Sequence, residues 1–226
     1  MTNARSESHI NCAARLVAGC GTLLAVGSLS LPCRAQPQQI PPPSSVEYLQ
    51  YGVSLHTLTL LDSGAVCPAG AVTPCIIGSG GGLGLRLGYR SRGPFYLGAN
   101  FDLSRLNSSN LLRLAILQGV SVEGRFYLDQ GNRVTPYLQA SAGAVIYGNE
   151  WAAMAGGAEG SLGVGLEYQI TERTVVALVP GYQTIVFRRF SDATGQERAA
   201  GPLGLGLTHW LAVRVIIEAR DPLARW

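Results

Sequence analysis

Apolar and polar residues alternate with a period of two along most of the chain after residue 45. In FYLGANFDLS, residues 95–104, every second residue is apolar and the residues between are polar or small. Such alternation predicts β-strands with one apolar face. No stretch has a helical apolar stripe of useful length, so we predict an all-β protein. Turn-forming residues separate eight alternating segments, at approximately 46–60, 80–90, 95–104, 111–128, 136–147, 156–170, 174–187 and 201–217.

The connections between these segments differ in length. Residues 91–94 and 171–173 form short turns, whereas 61–79 and 188–200 form long loops. Short turns on one rim and longer loops on the other are typical of an up-and-down barrel in the outer membrane. The sequence therefore predicts an eight-stranded antiparallel up-and-down transmembrane β-barrel over residues 46–217, with both chain ends on the periplasmic, short-turn side.

The composition of the two strand faces indicates which face points inward. The polar face consists mostly of glycine, serine and alanine with sparse charges, whereas a solvated outer surface usually carries many long charged residues. The interior of an eight-stranded barrel is only wide enough for side chains to fill. The apolar faces of strands two to six contain no charged residue, and an arginine at the bilayer midplane would cost about 2–4 kcal/mol. We expect the apolar faces to contact lipid.

The charged residues on the polar faces of strands two to six are equal in number and opposite in sign. Because an unpaired buried charge costs several kcal/mol, this balance predicts an ion-paired polar network that fills the lumen. Its predicted members are Arg86, Arg90, Arg113 and Arg125 with Asp102, Glu123, Glu159 and Glu167.

Aromatic residues on the apolar faces cluster near the turns of the short-turn rim. Tyr89, Phe95, Phe126 and Tyr168 all lie within a few residues of such a turn. Aromatic girdles occupy the membrane–water interfaces of outer-membrane barrels. We predict that these four residues form the girdle on the periplasmic side.

The two ends of the chain are expected to lie outside the barrel. Residues 1–35 resemble an export signal, with a polar start, an apolar core and small residues before a cleavage site after Ala35. The sequence VAGC at 17–20 resembles a lipoprotein box, but no apolar segment precedes it. Residues 36–45 form a Pro-rich periplasmic spacer, and residues 218–226 form a short C-terminal tail.

Cysteine usage and net charge limit which covalent links, ligands and partners are expected for the chain. Cleavage of the signal would leave Cys67 and Cys75, which predict one local disulfide in an oxidising compartment. A zinc site is disfavoured because no histidine lies in that loop. Residues 36–226 have 14 arginines and 13 acidic residues, so no nucleic-acid partner is indicated. The glycine run near residue 80 lacks a phosphate-binding motif, and we predict neither a cofactor nor a metal.

The features that carry a resemblance to a known family are the export signal, the short spacer, the eight alternating strands and segments such as TPYLQASAGA and GSLGVGLEYQIT. In these features the chain resembles small outer-membrane β-barrel proteins of the OmpA transmembrane-domain and OmpX type. The resemblance implies a location in the bacterial outer membrane, a packed and charge-paired interior, and contacts with outer-membrane lipid and the barrel-assembly machinery. The chain departs from that pattern in two places. Its last aromatic residue, Trp226, follows the last predicted strand and does not end it. Pro180 lies in the middle of the seventh predicted strand, where we predict a bulge.

The sequence favours a non-enzymatic barrel with a structural or loop-presenting role. The alternative is a lipid-modifying barrel enzyme. In that hypothesis Ser54 and His56, which share one strand face, would be the nucleophile and the base. A narrow pore is the next hypothesis, and a secreted soluble lipocalin-like carrier is less favoured. The loops 61–79 and 188–200 are candidate binding surfaces, the second with Arg188, Arg189 and Arg198, but no surface partner can be named.

Overall fold

The structure is a computed structural model, which describes residues 46–67, 74–188 and 206–223. Eight strands pair in chain order, and β1 pairs with β8 to close the barrel. All the pairings are antiparallel, which confirms the predicted fold class. The strands are β1 Tyr48–Asp62, β2 Gly80–Arg90, β3 Phe95–Leu106, β4 Ala115–Tyr127, β5 Val134–Asn149, β6 Ala152–Gln169, β7 Thr174–Phe187 and β8 Gly206–Pro222.

Connections of four to six residues join the strands at one end, called here the short-turn end. The other end, the long-loop end, has the described ends of the segments 63–79 and 188–205, the β3–β4 loop and the two-residue β5–β6 turn. A short 3-10 helix, Gly64–Val66, begins the first long connection. Glu150, in the tight β5–β6 turn, has a positive φ of 56°, as two-residue hairpin turns require. Among the described residues, no helix is both long and apolar enough to cross a membrane.

The alternating aliphatic residues lie on the outside of the barrel. Leu85 is 60% exposed and Leu162 is 67% exposed. The residues that alternate with these aliphatic residues point inward and are mostly buried or partly buried, as Arg86, Gly88 and Arg90 are at the end of β2. The period of two therefore produces an apolar outer wall, because successive side chains of a strand point to opposite faces.

Most strands differ by a residue or two from the predicted bounds, and the largest differences are in β4, β6 and β8. β6 begins at Ala152 and not at 156. β4 begins at Ala115 and not at 111, since Ser109 and Asn110 adopt positive φ values of 54° and 64° and turn the chain out of the β-ladder. β8 continues to Pro222, so the first residues of the predicted tail 218–226 belong to the barrel wall. The predicted signal peptide 1–35, the spacer 36–45 and Trp226 lie outside the described residues.

The predicted bulge at Pro180 is wrong. Pro180 pairs with Val213 of β8 in an unbroken register, and the β6–β7 register is the same on both sides of the proline, with a gap in the pairing beside it. Proline has no backbone N–H to donate, and the sheet accommodates this by a local gap in the pairing with β6 and not by a bulge. Register shifts occur instead at Leu60/Asp62 against β8 and at Tyr147/Gly148 against β6.

The interior has two layers. The layer toward the short-turn end is polar and charged, whereas the layer toward the long-loop end is an apolar core that includes Leu58, Leu106, Val145, Phe187 and Trp210. The expectation of a packed polar lumen therefore describes only part of the interior. The apolar layer arises because inward positions near the long-loop ends of the strands change from polar to apolar.

Candidate functional site

The charged interior centres on Glu123, a completely buried residue of β4. Its carboxylate pairs with the Arg86 guanidinium and accepts a hydrogen bond from Arg125 Nε at 2.5 Å. The side-chain amides of Asn100 and Gln139 each donate to Glu123 Oε2 at 2.8 Å. Four donors thus satisfy one carboxylate, which is the arrangement that makes a buried charge tolerable.

A second carboxylate, Glu218 of β8, completes the pairing of Arg125. Arg125 Nη1 and Nη2 donate to the two Glu218 oxygens at 2.7 Å each, which is a bidentate contact. Gln50 of β1 also donates to Glu218. Because Arg125 and Glu218 come from strands on opposite sides of the barrel, this pair ties the walls together across the lumen. Bidentate guanidinium–carboxylate pairs are among the strongest charge-assisted contacts.

Glu167 of β6 is the third buried carboxylate at this end. It accepts from Arg90 Nη1 at 3.0 Å, from Arg220, and from the Tyr127 hydroxyl at 3.2 Å. The Arg90 guanidinium also lies 3.7 Å from the centre of the Tyr127 ring. A cation over an aromatic face is stabilised further when water is excluded.

The interior charges are balanced among the described residues. The barrel encloses five arginines and five acidic residues, namely Arg86, Arg90, Arg125, Arg214 and Arg220 with Asp102, Glu123, Glu159, Glu167 and Glu218. The structure thus brings seven of the eight residues of the predicted lumen network into the interior.

Arg113 is not in the lumen, so its assignment to the network was wrong. It precedes β4, its side chain is 86% exposed, and it pairs with Glu150 at 3.4 Å. The alternation at 111–114 suggested a strand, but these residues form a loop whose Leu112 is buried. Sequence reasoning missed Arg214, Glu218 and Arg220. The signal for them was the alternation that continues through the last strand. All three lie at even-numbered positions of β8, whose side chains face the interior.

A smaller polar cluster lies in the middle of the lumen around His56. Its Nε2 is 2.6 Å from the Ser104 hydroxyl, and its Nδ1 is 3.9 Å from Asp102 Oδ1. Gly82 pairs with both His56 and Ser104 in the strand register, so the absence of a side chain there lets the two meet across β2. The predicted partner Ser54 faces inward but forms no hydrogen bond with His56.

The other members of this cluster are Glu159, Gln183 and Arg214. Gln183 donates to Glu159 at 2.7 Å and accepts from Arg214 Nη2 at 3.2 Å. The cluster surrounds a cavity of about 10 Å³, which is room for roughly one water molecule. No group of His, Cys, Asp or Glu side chains in the described ranges is arranged to hold a metal ion.

The serine, histidine and aspartate of this cluster differ from a working catalytic triad. His56 is 5% exposed and Ser104 is 3% exposed, and the cavity beside them is far smaller than a lipid ester group. The 3.9 Å separation of His56 from Asp102 is too long for the hydrogen bond that orients a catalytic histidine. The arrangement can pair charges and hold a water molecule, but a bulky substrate would have no path to Ser104.

The described parts of the first long connection pack into the long-loop end of the barrel. Cys67 and Cys75 form the predicted disulfide, with their Cα atoms 5.3 Å apart. On either side of it Val66, Ile76 and Ile77 are buried in the apolar layer, and the Tyr147 hydroxyl donates to the Ile76 carbonyl at 2.6 Å. Val66, Ile76 and Ile77 of loop 61–79 therefore fold into the barrel mouth and are not part of a free binding surface.

The second candidate loop, 188–200, is described only at its first residue. Arg188 is exposed at the end of β7, where its backbone N–H donates to the Gly156 carbonyl at 3.1 Å. Arg189 and Arg198 lie outside the described residues.

The four aromatic residues predicted to form a girdle all lie on the outer wall near the short-turn end. Tyr89, Phe95, Phe126 and Tyr168 are between 41% and 61% exposed. The rings of Phe95 and Phe126 pack edge to face with their centres 5.3 Å apart, because the two residues are direct register partners.

Solved structures similar to this chain include two bacterial barrel proteins. The crystal structure of Neisserial surface protein A has 14% sequence identity and a TM-score of 0.47, and the match covers 77% of this chain and 97% of that one. Outer membrane protein OprG from Pseudomonas aeruginosa has 13% identity and a TM-score of 0.44, with 78% and 96% covered. No protein-family model matches the chain, and no curated protein matches it in sequence. The fold assignment therefore rests on the strand pairing of the chain itself.

Proposed function

We propose that the protein is an outer-membrane β-barrel of a bacterial envelope, a closed and non-enzymatic scaffold that presents its long-loop end at the cell surface. The partners in this role are outer-membrane lipid and, during assembly, the barrel-assembly machinery. The observation that carries the proposal is the contrast between the two sides of the wall: aliphatic residues cover the outside, and balanced ion pairs fill much of the inside.

The exposed apolar surface supports a lipid environment. Leu83, Leu85 and Leu87 form an outward row on β2 and are 55–60% exposed, and comparable rows lie on the neighbouring strands. Soluble monomers rarely expose apolar patches of more than a few hundred Å², whereas a lipid-facing barrel requires a continuous apolar band. A soluble lipocalin-like carrier would have the opposite arrangement, with apolar residues enclosing a ligand at the centre.

The packed interior supports a closed scaffold over a conducting pore. Arg125 and Glu218 span the lumen at the short-turn end, and the apolar layer with Trp210 fills the long-loop end. The cavity of about 10 Å³ between them is too small for a hydrated ion to pass.

The experiment is a gel-mobility test on protein extracted from the outer-membrane fraction of expressing cells. A closed transmembrane barrel should migrate faster when unheated than when boiled, and it should give no steady conductance in planar lipid bilayers. Recovery of the protein in the soluble periplasmic fraction without a mobility shift would refute the membrane role. Stable single-channel currents would refute the closed interior.

The same proposal excludes lipid-modifying catalysis by His56. We expect His56→Ala to leave the acylation pattern of lipid A unchanged in cells that express the variant, because the imidazole contacts only interior residues. A serine-directed fluorophosphonate probe should not label the folded wild-type barrel. Labelling at Ser104 that disappears in His56→Ala would show that the barrel is an enzyme.

A further inference from the structure

We propose that the cleft between β3 and β4 at the long-loop end binds the phosphate group of an outer-leaflet glycolipid through Arg105 and Arg113. This inference rests on the proposed outer-membrane location and adds a ligand class to it. The cleft has a volume of about 270 Å³ and is lined by the polar side chains of Arg105, Asn107, Ser108, Asn110 and Arg113.

The height of Arg105 on the barrel matches the position of lipid phosphates. Arg105 faces outward on β3, in the same row as Phe95 of the predicted girdle and Phe101. The ten residues from Phe95 to Arg105 correspond to about 25 Å of height for a strand that rises about 3.3 Å per residue and is tilted about 40°. The apolar band of an outer-membrane barrel is also about 25 Å tall. If Phe95 marks one interface, Arg105 therefore marks the other.

The chemistry of the cleft favours an anion. Two guanidinium groups and two side-chain amides line it, and none of its lining residues is acidic. Within the described ranges Arg105 has no ion-pair partner. Arg113 pairs with Glu150 at 3.4 Å, but their side chains are 86% and 45% exposed, and exposed pairs of this kind are weak. A phosphate can replace Glu150 because guanidinium groups bind phosphate oxygens in a bidentate manner.

The cleft is pre-formed by the conformation of the β3–β4 loop. The Ser108 hydroxyl accepts from the Leu112 N–H at 3.1 Å, and the Asn107 side chain accepts from the Ser109 N–H at 2.9 Å. Leu112 is 6% exposed and anchors the loop in the apolar layer of the barrel. Little loop ordering is then needed when the ligand binds, which favours affinity.

A lipid source is favoured over free phosphate because the apolar outer wall of β3 begins directly below the cleft, on the side of the short-turn end. Leu103 and Phe101 lie directly below Arg105 in the outward row. An amphiphile can therefore place its phosphate at Arg105 and Arg113 while its acyl chains pack along β3. Free phosphate would gain the charged contacts alone.

The test measures binding of bisphosphorylated lipid A to the refolded full-length mature chain in detergent micelles. The double variant Arg105→Gln/Arg113→Gln is compared with Arg92→Gln, a control at the short-turn rim whose side chain is 67% exposed and pairs with Glu47 at 3.3 Å. We expect the double variant to bind at least about tenfold more weakly, since two charge-assisted contacts are lost, and the control to bind like wild type.

Two further probes identify the ligand. Lipid A stripped of both phosphates should bind at least about tenfold more weakly, and inorganic phosphate at millimolar concentration should not displace bound lipid A. Equal affinity of wild type and double variant, or of the two lipids, would overturn the inference. Full displacement by inorganic phosphate would overturn the lipid assignment. A chain that fails to show heat-dependent gel mobility would instead refute the membrane role itself, so the two failures are distinguishable.

Discussion

Replacing Glu123 by glutamine tests whether the buried ion pairs stabilise the barrel. Glu123 is fully buried and holds both Arg86 and Arg125. After the substitution Arg125 keeps Glu218, but Arg86 has no other carboxylate partner in the part of the chain that the structure describes, and its Nε and Nη2 already lack hydrogen-bond partners. Leaving one buried charge uncompensated costs about 3–5 kcal/mol, and we expect a loss of this size in the free energy of unfolding.

The assay is urea unfolding of the barrel reconstituted in lipid vesicles, followed by tryptophan fluorescence and by gel mobility. Glu150→Gln is the matched control, because it removes the same charge from an exposed pair with Arg113 and should cost no more than about 1 kcal/mol. Arg86→Met in the Glu123→Gln background should recover part of the loss, since the uncompensated cation is then gone.

The reasoning would be refuted if Glu123→Gln unfolded within about 1 kcal/mol of wild type, the range expected for an exposed pair. It would also be refuted if the effects of Arg86→Met and Glu123→Gln were additive, because residues that form a buried pair should be energetically coupled.

Two smaller perturbations test the packing of each layer. A Cβ atom at Gly165 would overlap the Tyr137 ring, so Gly165→Ala should destabilise the barrel by about 1–3 kcal/mol in the same unfolding assay; Gly156→Ala, where nothing lies within 4 Å of the added atom, is the control, and equal stability of the two variants would contradict the contact. Replacing both Cys67 and Cys75 by serine should lower the free energy of unfolding by about 2–3 kcal/mol, the value for closing so short a loop. The effect should match that of reducing the wild-type disulfide, and no difference between oxidised and reduced protein would count against it.

The fold could be predicted because odd and even positions of a strand face opposite sides of the barrel wall. The parity of a residue, odd or even, therefore tells whether its side chain points outward or inward. The alternation of Phe101, Asp102 and Leu103 already separates the outer wall from the interior. The same parity test applied to the last strand would have identified Glu218 and Arg220. Parity does not indicate where a strand begins, however. Arg113 was misplaced for this reason, since the positive φ values at Ser109 and Asn110 that end the ladder are properties of the folded loop.

Contacts within the interior depend on register and on strand neighbours, which the sequence does not show. Ser54 is only two residues from His56, yet His56 contacts Ser104. The residue between His56 and Ser104 in the sheet is Gly82, which has no side chain to keep them apart. The apolar layer at the long-loop end had a weaker signal. Leu58 has the same parity as the polar residues of β1, so the change of inward residues from polar to apolar was visible in the sequence, but its closure by loop residues such as Ile76 was not.

The most direct test of the lipid-facing wall is its environment in a bilayer. Nitroxide labels on cysteines introduced at Leu85 and Leu162, which are 60% and 67% exposed, should be readily accessible to oxygen and poorly accessible to a water-soluble nickel chelate in lipid vesicles. A label at Trp151, 80% exposed in the β5–β6 turn, should show the reverse. Labels at Leu85 and Leu162 that collide with the nickel chelate as often as the label at Trp151 would contradict the lipid-facing wall on which the proposed function depends.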